Sequence, residues 1–142
     1  MLKVELKEFN NILATIESLY HDANVKLGIS DSEFNILYTI CYKGVGCNQS
    51  EVYRFSGLSR STINSALRKM EKNGLLYLRQ GEGRNTKLYL TEKGEEYLHD
   101  TVERIVAAEN RIYLSWTEEE RKAYVELNRK YANALKEELK DL

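Results

Sequence analysis

The sequence predicts a mainly α-helical protein with one small β-hairpin. Apolar residues recur at steps of three and four along most of the 142-residue chain, which is the spacing of amphipathic helices. The pattern changes only at "LLYLR" and "TKLYL", two short Leu- and Tyr-containing runs around the glycine-rich "QGEGRN". Proline is absent, so glycines and polar caps must bound the elements. The predicted order is four helices, a hairpin and two more helices.

Cap residues and glycines set the predicted helix boundaries. The first helix covers residues 2–25, and a short third helix reaches about residue 55 before the "SGLS" turn. Ser59 caps the fourth helix, and Thr91 caps a helix that runs to about Leu114. Three helices open with the spacing of a capping box: Ser30 with Glu33, Asn48 with Glu51, and Thr117 with Glu120.

The fourth helix, within "SRSTINSALRKMEKNGLL", has two different sides. Its apolar residues occur at positions i, i+3, i+4 and i+7 and form one stripe: Ile63, Ala66, Leu67 and Met70. Most of its small polar, amide and basic residues fall elsewhere: Ser59, Arg60, Ser61, Thr62, Asn64, Ser65, Arg68 and Lys69. The stripe would orient the helix against a core and leave the polar side for a partner.

Charge is distributed unevenly along the chain. The net charge is −1, but residues 54–93 carry nine basic and three acidic side chains, a balance of +6. The remainder of the chain therefore carries −7. A basic segment within an acidic frame is typical of a part that binds phosphate groups.

Two short helices joined by a tight turn and followed by a hairpin form a winged helix-turn-helix. In that arrangement the fourth helix enters the DNA major groove. Its residues divide by chemistry into small side chains that allow close approach (Ser61, Thr62, Ser65), donors to bases or backbone (Arg60, Asn64) and phosphate ligands (Arg68, Lys69).

The hairpin tip predicts a second DNA contact. Gly81 and Gly83 allow a tight loop to project, and Arg84 lies at its far end near Lys87. An extended arginine suits the narrow minor groove, where the potential is most negative. Glu82 would be costly beside phosphate, so we expect it to hold Arg84 through an ion pair.

Other interpretations of these two features are open. A polar helix face is ordinarily only solvated, and "GEGRN" is compatible with an ordinary flexible turn. A winged helix can also serve as a protein-interaction module, and a basic one can coat DNA without sequence preference. The +6 segment and the projecting arginine favour DNA, and the small polar residues at the start of the helix favour base recognition.

The chain resembles the multiple-antibiotic-resistance-regulator (MarR) family of bacterial transcription factors over nearly its whole length. The resemblance is strongest at the "MEKNGLL" turn, residues 70–76, and at "LTEKG", residues 90–94. The family's wing usually has Asp-x-Arg, which corresponds here to Glu82 and Arg84. The resemblance implies a sequence-specific regulator, usually a repressor, that binds double-stranded DNA as a homodimer.

We predict a single domain over residues 1–142, with a winged helix-turn-helix module at 30–93 and a helical dimerisation region at 1–27 and 94–142. The outer helices are long and one-sidedly apolar, which independently favours dimerisation. Candidate interface residues, which could equally be intrachain core, are Leu6, Phe9, Leu13, Ile105, Ile112, Leu127, Tyr131 and Leu135. A two-fold dimer would place two recognition helices about 34 Å apart on a pseudo-palindromic operator.

Aromatic residues suggest a second kind of ligand. The resemblance implies a crevice for a small aromatic effector, near Tyr20, Tyr38, Tyr42 and Trp116. The alternative is that these rings are ordinary core and boundary residues.

The sequence does not indicate an enzyme. There is no phosphate loop, nucleotide fingerprint or nucleophile motif, and we expect neither a metal nor a cofactor. Cys41 is predicted to be a small core residue, whereas Cys47, in a glycine turn, could be a reactive thiol, although nothing nearby in the sequence obviously lowers its pKa. We see no membrane span or leader in the sequence, and the two cysteines favour the cytoplasm.

Overall fold

The computed structural model describes residues 1–142 and confirms a mainly helical chain with a two-stranded antiparallel hairpin. Its elements are α1 Val4–Leu27, α2 Asp31–Lys43, α3 Gln49–Ser56, α4 Arg60–Lys72, β1 Leu76–Gln80, β2 Thr86–Leu90, α5 Glu92–Asp100, α6 Val102–Ser115 and α7 Glu118–Leu139. They form two compact units, Met1–Ile105 and Val106–Leu142. The boundary between the two units lies within α6.

The first unit has one apolar core to which most of its elements contribute. Its fully buried large apolar side chains are Ile36, Leu37, Val52, Ile63, Met70, Leu76, Leu88 and Val102. Because α2, α3, α4 and both strands each place a side chain in this core, the helix-turn-helix and the hairpin are packed as one body.

The predicted capping box at α2 forms only in part. Ser30 Oγ accepts a hydrogen bond from the Glu33 backbone N–H at 3.1 Å. The Glu33 carboxylate instead accepts a hydrogen bond from the Tyr97 hydroxyl on α5, at 3.2 Å. Burial together with this carboxylate raises the pKa of Tyr97 to about 12. Glu33 therefore connects two helices, whereas the box at Thr117 and Glu120 is complete.

The prediction of one helix from Thr91 to about Leu114 is wrong, because the chain breaks between α5 and α6 at Thr101. Thr101 leaves helical geometry, with φ −121° and ψ −91°. It is buried, and its hydroxyl donates to the Tyr97 carbonyl at 2.6 Å. A threonine hydroxyl that bonds the backbone competes with the helical ladder. The break allows Val102 to reach the core.

The hairpin pairs Leu76 with Leu90 and Gln80 with Thr86 at its two ends. A short segment of the loop after α2 adds to its other edge, which the sequence did not predict. The Gly46 N–H donates to the Leu88 carbonyl at 2.8 Å, and the Leu88 N–H donates to the Cys47 carbonyl at 2.9 Å. This segment covers the backbone edge of β2.

Helix α5 packs unusually close to the start of the hairpin. At Gly94 a Cβ atom would lie 1.8 Å from the Leu75 carbonyl oxygen, so only glycine fits. Thr91 caps α5 by accepting from the Gly94 N–H, and its hydroxyl donates to the Gly74 carbonyl. The "LTEKG" motif therefore positions α5 against β1.

The second unit consists of the rest of α6 and the long helix α7. No side chain of α7 is buried. The Trp116 ring is tilted against Tyr113 and meets Tyr124 edge-on, with ring centroids 5.2 and 5.4 Å away. Arg121 stabilises the turn between the helices by donating to the Trp116 carbonyl at 2.7 Å and the Tyr113 carbonyl at 3.0 Å. None of the helices is long and apolar enough to span a membrane.

Candidate DNA-binding surface

Helix α4 has the two-sided character that its sequence predicts. Its apolar stripe is buried in the core of the first unit. Of the eight predicted DNA-contacting residues of this helix and its cap, all but Asn64 are exposed: Ser59, Arg60, Ser61, Thr62, Ser65, Arg68 and Lys69. The first turn contains no acidic residue. The core therefore fixes the helix so that its small polar and basic side chains face solvent.

The start of α4 is an ordered cluster of hydroxyl groups. Ser59 Oγ accepts from the Thr62 backbone N–H at 3.2 Å and lies 2.7 Å from Thr62 Oγ1. The Ser61 hydroxyl is 3.4 Å from the same Ser59 oxygen. Exposed hydroxyls at a helix N-terminus suit close approach to a phosphate oxygen, because the helix dipole is positive there.

The predicted base donors Arg60 and Asn64 both contact side chains of α3. Gln49 Nε2 donates to the Tyr53 hydroxyl at 2.6 Å and to Asn64 Oδ1 at 3.1 Å, and the Tyr53 hydroxyl donates to the same Asn64 oxygen. The Arg60 guanidinium lies 4.9 Å above the centre of the Tyr53 ring. Asn64 is accordingly half-buried. Sequence reasoning did not single out Gln49 and Tyr53, although their spacing of four places both on one side of α3.

The loop at the hairpin tip is held by hydrogen bonds and not by the ion pair that we predicted. No ion pair joins Glu82 to Arg84, and both side chains are exposed. The Gly81 N–H donates to the Asn85 carbonyl at 2.8 Å, and Gln80 Nε2 donates to the Gly83 carbonyl at 2.8 Å. An exposed ion pair contributes little, so backbone bonds and the side chain of Gln80 shape the loop instead. Arg84 extends from it without a charged partner.

One face of the hairpin carries a stack that sequence reasoning missed. The Arg79 guanidinium lies 5.2 Å from the centre of the Tyr77 ring, which stacks on Tyr89 at 5.4 Å. Lys87 pairs with Arg79 across the hairpin. Its stem lies against Gly81, where a Cβ atom would be 3.1 Å from Lys87 Cε, so Lys87 is only half-exposed. Arg79 therefore adds a cation beside the predicted wing residues.

Three of the four predicted effector-crevice residues belong to a continuous row of aromatic rings in the first unit. Successive centroid distances are 5.8 Å from Tyr20 to Phe34, 5.2 Å on to Tyr38, 6.0 Å on to Phe55 and 5.3 Å on to Tyr42. Spacings of this kind are favourable for aromatic pairs. Trp116 lies in the second unit, in the cluster described above.

The prediction that Cys41 is a core residue is wrong. Cys41 is exposed and Cys47 is buried. Cys41 lies on the outer side of α2, and Cys47 lies where the extra strand segment meets Leu88. Burial raises the pKa of the Cys47 thiol, and partial desolvation of the sulfur raises the pKa of Cys41 although the residue as a whole is exposed, so neither thiol is activated as a nucleophile. No group of three His, Cys, Asp or Glu side chains is placed to hold a metal ion.

The histidine His21 takes part in a link between α1 and α2. Its Nδ1 lies 2.8 Å from the Asp31 carboxylate, whose other oxygen accepts from Asn24 Nδ2 at 2.9 Å. The hydrogen bond to Asp31 and the charge of that carboxylate raise the pKa of His21. The hydrogen bond from Asn24, followed by that from His21, lowers the pKa of Asp31.

An oriented polar helix, the short helix before it and a projecting basic hairpin define a winged helix-turn-helix protein of the DNA-binding class. Comparison with known proteins agrees. Residues 27–84 match the sequence model of the MarR family. The HTH-type transcriptional regulator Hpr of Geobacillus sp. (strain WCH70) is 36% identical over 84 residues, which are 58% of this chain and 41% of Hpr. The chain thus spans less than half the length of that relative.

Solved structures show the same fold. NMB1585, a MarR family regulator from Neisseria meningitidis, superposes with a TM-score of 0.84 at 16% identity, covering 98% of this chain and 99% of that one. MepR of S. aureus in its DNA-binding conformation gives a TM-score of 0.75 at 16% identity, covering 94% and 99%. Residues 27–84 thus resemble the MarR family of helix-turn-helix transcriptional regulators, and the chain as a whole has the fold of the solved MarR family regulators.

Proposed function

We propose that the protein is a cytoplasmic homodimeric regulator, acting as a repressor, that recognises a pseudo-palindromic DNA operator through α4 and the hairpin wing. The observation that carries this proposal is α4 itself. Its apolar stripe is buried while its hydroxyl and basic side chains face solvent without an acidic residue in the first turn. Such a helix is held in one orientation and presents donors to bases and phosphates.

The assignment of roles follows the geometry of the surface. Arg68 and Lys69 are exposed beyond the first turn of α4 and would contact phosphates, whereas Ser61, Thr62 and Ser65 would allow the helix to approach the bases. Arg84 extends from the tip, and Lys87 and Arg79 lie on the strands behind it. Replacing Ser61 or Thr62 should relax base preference, whereas replacing Arg68 should weaken binding to all sequences alike.

Dimerisation is supported by apolar surface outside the core. Helix α1 exposes Ile12, Leu13 and Leu19, and α7 exposes Leu127 and Leu135. Large side chains of this kind along one helix are characteristic of interfaces. A homodimer that buries them would present two α4 helices to successive major grooves.

The aromatic row in the first unit supports an effector site for a small aromatic compound. Tyr42 and Phe55, at one end of the row, are both exposed. A flat ring could stack there at the spacing that the row already shows. Titration with simple benzoates and phenols, with release of bound DNA as the readout, tests this part. Tyr42→Ala should abolish the response, and a response that survives this change would exclude this end of the row.

Selection of the purified protein on a random-duplex library at two salt concentrations tests the proposal. We expect a two-fold-symmetric motif and an affinity that falls steeply as salt rises, because phosphate contacts release counterions. A winged-helix module that serves a protein partner would select no motif and would bind DNA only weakly at low salt. The basic side chains on the exposed face of α4 favour DNA binding over this second function.

A further inference from the structure

The hydrogen bonds between α3 and α4 restrict what Asn64 can offer to a ligand. An amide carbonyl oxygen has two acceptor positions, and Asn64 Oδ1 receives donors from both Gln49 and Tyr53. Asn64 Nδ2 has no acceptor within the protein and is not among the buried polar atoms that lack a partner. The amide thus keeps its oxygen within the protein and presents only N–H donors to solvent.

This orientation affects base recognition. Asparagine recognises adenine by a bidentate contact, in which Oδ1 accepts from adenine N6 and Nδ2 donates to N7. Asn64 cannot make that contact while its oxygen is engaged by Gln49 and Tyr53. Donors alone match guanine best, because guanine presents two acceptors, N7 and O6, in the major groove.

Tyr53 also supports the second base donor. The Arg60 guanidinium, another group with donors only, lies over the face of the same tyrosine ring. The hydroxyl of Tyr53 and its ring therefore act on different side chains. A Tyr53→Phe change removes the first effect and retains the second.

We propose that Tyr53 and Gln49 are positioning residues that determine base specificity by making Asn64 a donor-only group, so that guanine and not adenine is preferred opposite Asn64. This inference rests on the proposed DNA-binding function. It assigns roles to two side chains of α3 that need not touch the bases. It also predicts a specific reversal, because removing both donors frees Asn64 Oδ1 for adenine.

Random-duplex selection with matched variants tests the inference. The operator position read by Asn64 is the one whose preference is lost in Asn64→Ala. At that position the double variant Tyr53→Phe with Gln49→Ala should shift from guanine to adenine by at least about fivefold, the lower range of a bidentate contact. Preferences at other positions should persist, because the retained ring still supports Arg60.

Two controls separate positioning from a general loss of structure. Tyr124→Phe removes a tyrosine hydroxyl from the second unit and should leave the motif unchanged. Adding Tyr53→Phe and Gln49→Ala to Asn64→Ala should cause no further change in preference, because the two residues act through Asn64. Thermal melting of each variant confirms that it remains folded.

The outcomes distinguish the inference from the proposed function. A wild-type preference for adenine at the Asn64 position would overturn the inference, as would an unchanged guanine preference in the double variant. Additional changes in the Asn64→Ala background would show that Tyr53 or Gln49 contacts DNA directly, which also overturns it. If the wild type selects no motif, the proposed function fails and the inference fails with it.

Discussion

Helices α4 and α7 both carry an apolar stripe, yet only one of the stripes is buried. In α4, Ile63 and Met70 are completely inaccessible to solvent, whereas in α7 Leu127 is 64% exposed and Leu139 is 48% exposed. The orientation of α4 is therefore decided by the core of its own unit. The same periodic pattern predicts both helices, but it does not identify the surface that covers each stripe.

The largest expected effect is in the buried stripe. Ile63→Ala should lower the free energy of unfolding by about 2–5 kcal/mol, because it removes core methyl groups and leaves a cavity. In urea denaturation, the free energy of unfolding should fall by the same amount at every protein concentration. The matched change Leu127→Ala should alter the stability of the dilute protein by about 0.5 kcal/mol or less. Equal losses would contradict the difference between the two helices.

The exposed stripe should matter for association. Leu127→Glu combined with Leu135→Glu should raise the dimer dissociation constant at least tenfold, about 1.4 kcal/mol, because charge replaces apolar interface area. Sedimentation over a range of concentrations measures this change. Lys130→Glu changes the net charge of the same helix by the same amount and should have a much smaller effect. A dimer that tolerates the double change would place the interface elsewhere.

The wing should contribute to DNA affinity without affecting the dimer. Arg84→Ala should weaken operator binding at least about tenfold, because an extended guanidinium fits the negative potential of the minor groove. Fluorescence anisotropy with a labelled operator provides the measurement. Arg129→Ala, an exposed arginine of α7, is the matched control and should leave affinity unchanged.

Glu82 allows a sharper test of the same loop. Since the structure forms no ion pair between Glu82 and Arg84, Glu82→Ala should not weaken DNA binding, and the loss of a negative charge should strengthen it slightly. The affinity of this variant at low salt is the quantity to measure. A loss comparable to that of Arg84→Ala would show that Glu82 positions the arginine in the complex.

The smallest expected effect comes from the link between His21 and Asp31. The raised pKa of His21 gives stability that is present below its ordinary value of 6.5 and is lost as pH rises through the raised pKa. The lowered pKa of Asp31 gives stability that is present above 3.8 and is lost as pH falls through the lowered pKa. Both contributions to stability are therefore present between pH 3.8 and pH 6.5.

The variant His21→Gln tests the direction of this pH dependence. The difference in urea midpoint between wild type and variant should be larger at about pH 5.5 than at about pH 8.5, where histidine is neutral. The two side chains are largely exposed, so the difference should be small. A difference that increases towards pH 8.5 would mean that the pair does not act through charged histidine.

Much of the fold could be predicted from local patterns. The buried stripe of α4, the hairpin with its glycine-rich tip and the cap at Thr117 each depend on residues within a few positions of one another, so sequence spacing is sufficient. Prediction was less successful where a group far away in the sequence competes for a hydrogen bond. The Glu33 carboxylate was predicted to cap the start of α2, but it accepts a hydrogen bond from Tyr97 instead, 64 residues away. The break at Thr101 likewise depends on a hydroxyl bond and on core packing around Val102.

The sequence by itself determined the helix-turn-helix and wing, the basic segment and the polar side of α4, because periodicity, caps and charge are local properties. Only the tertiary structure decided which cysteine is buried, that Glu82 does not pair with Arg84, and that Gln49 and Tyr53 take the carbonyl oxygen of Asn64. The engagement of the Asn64 oxygen depends on side chains brought together from α3 and α4. Their hydrogen bonds form only when the packing of the core sets the distances between those elements.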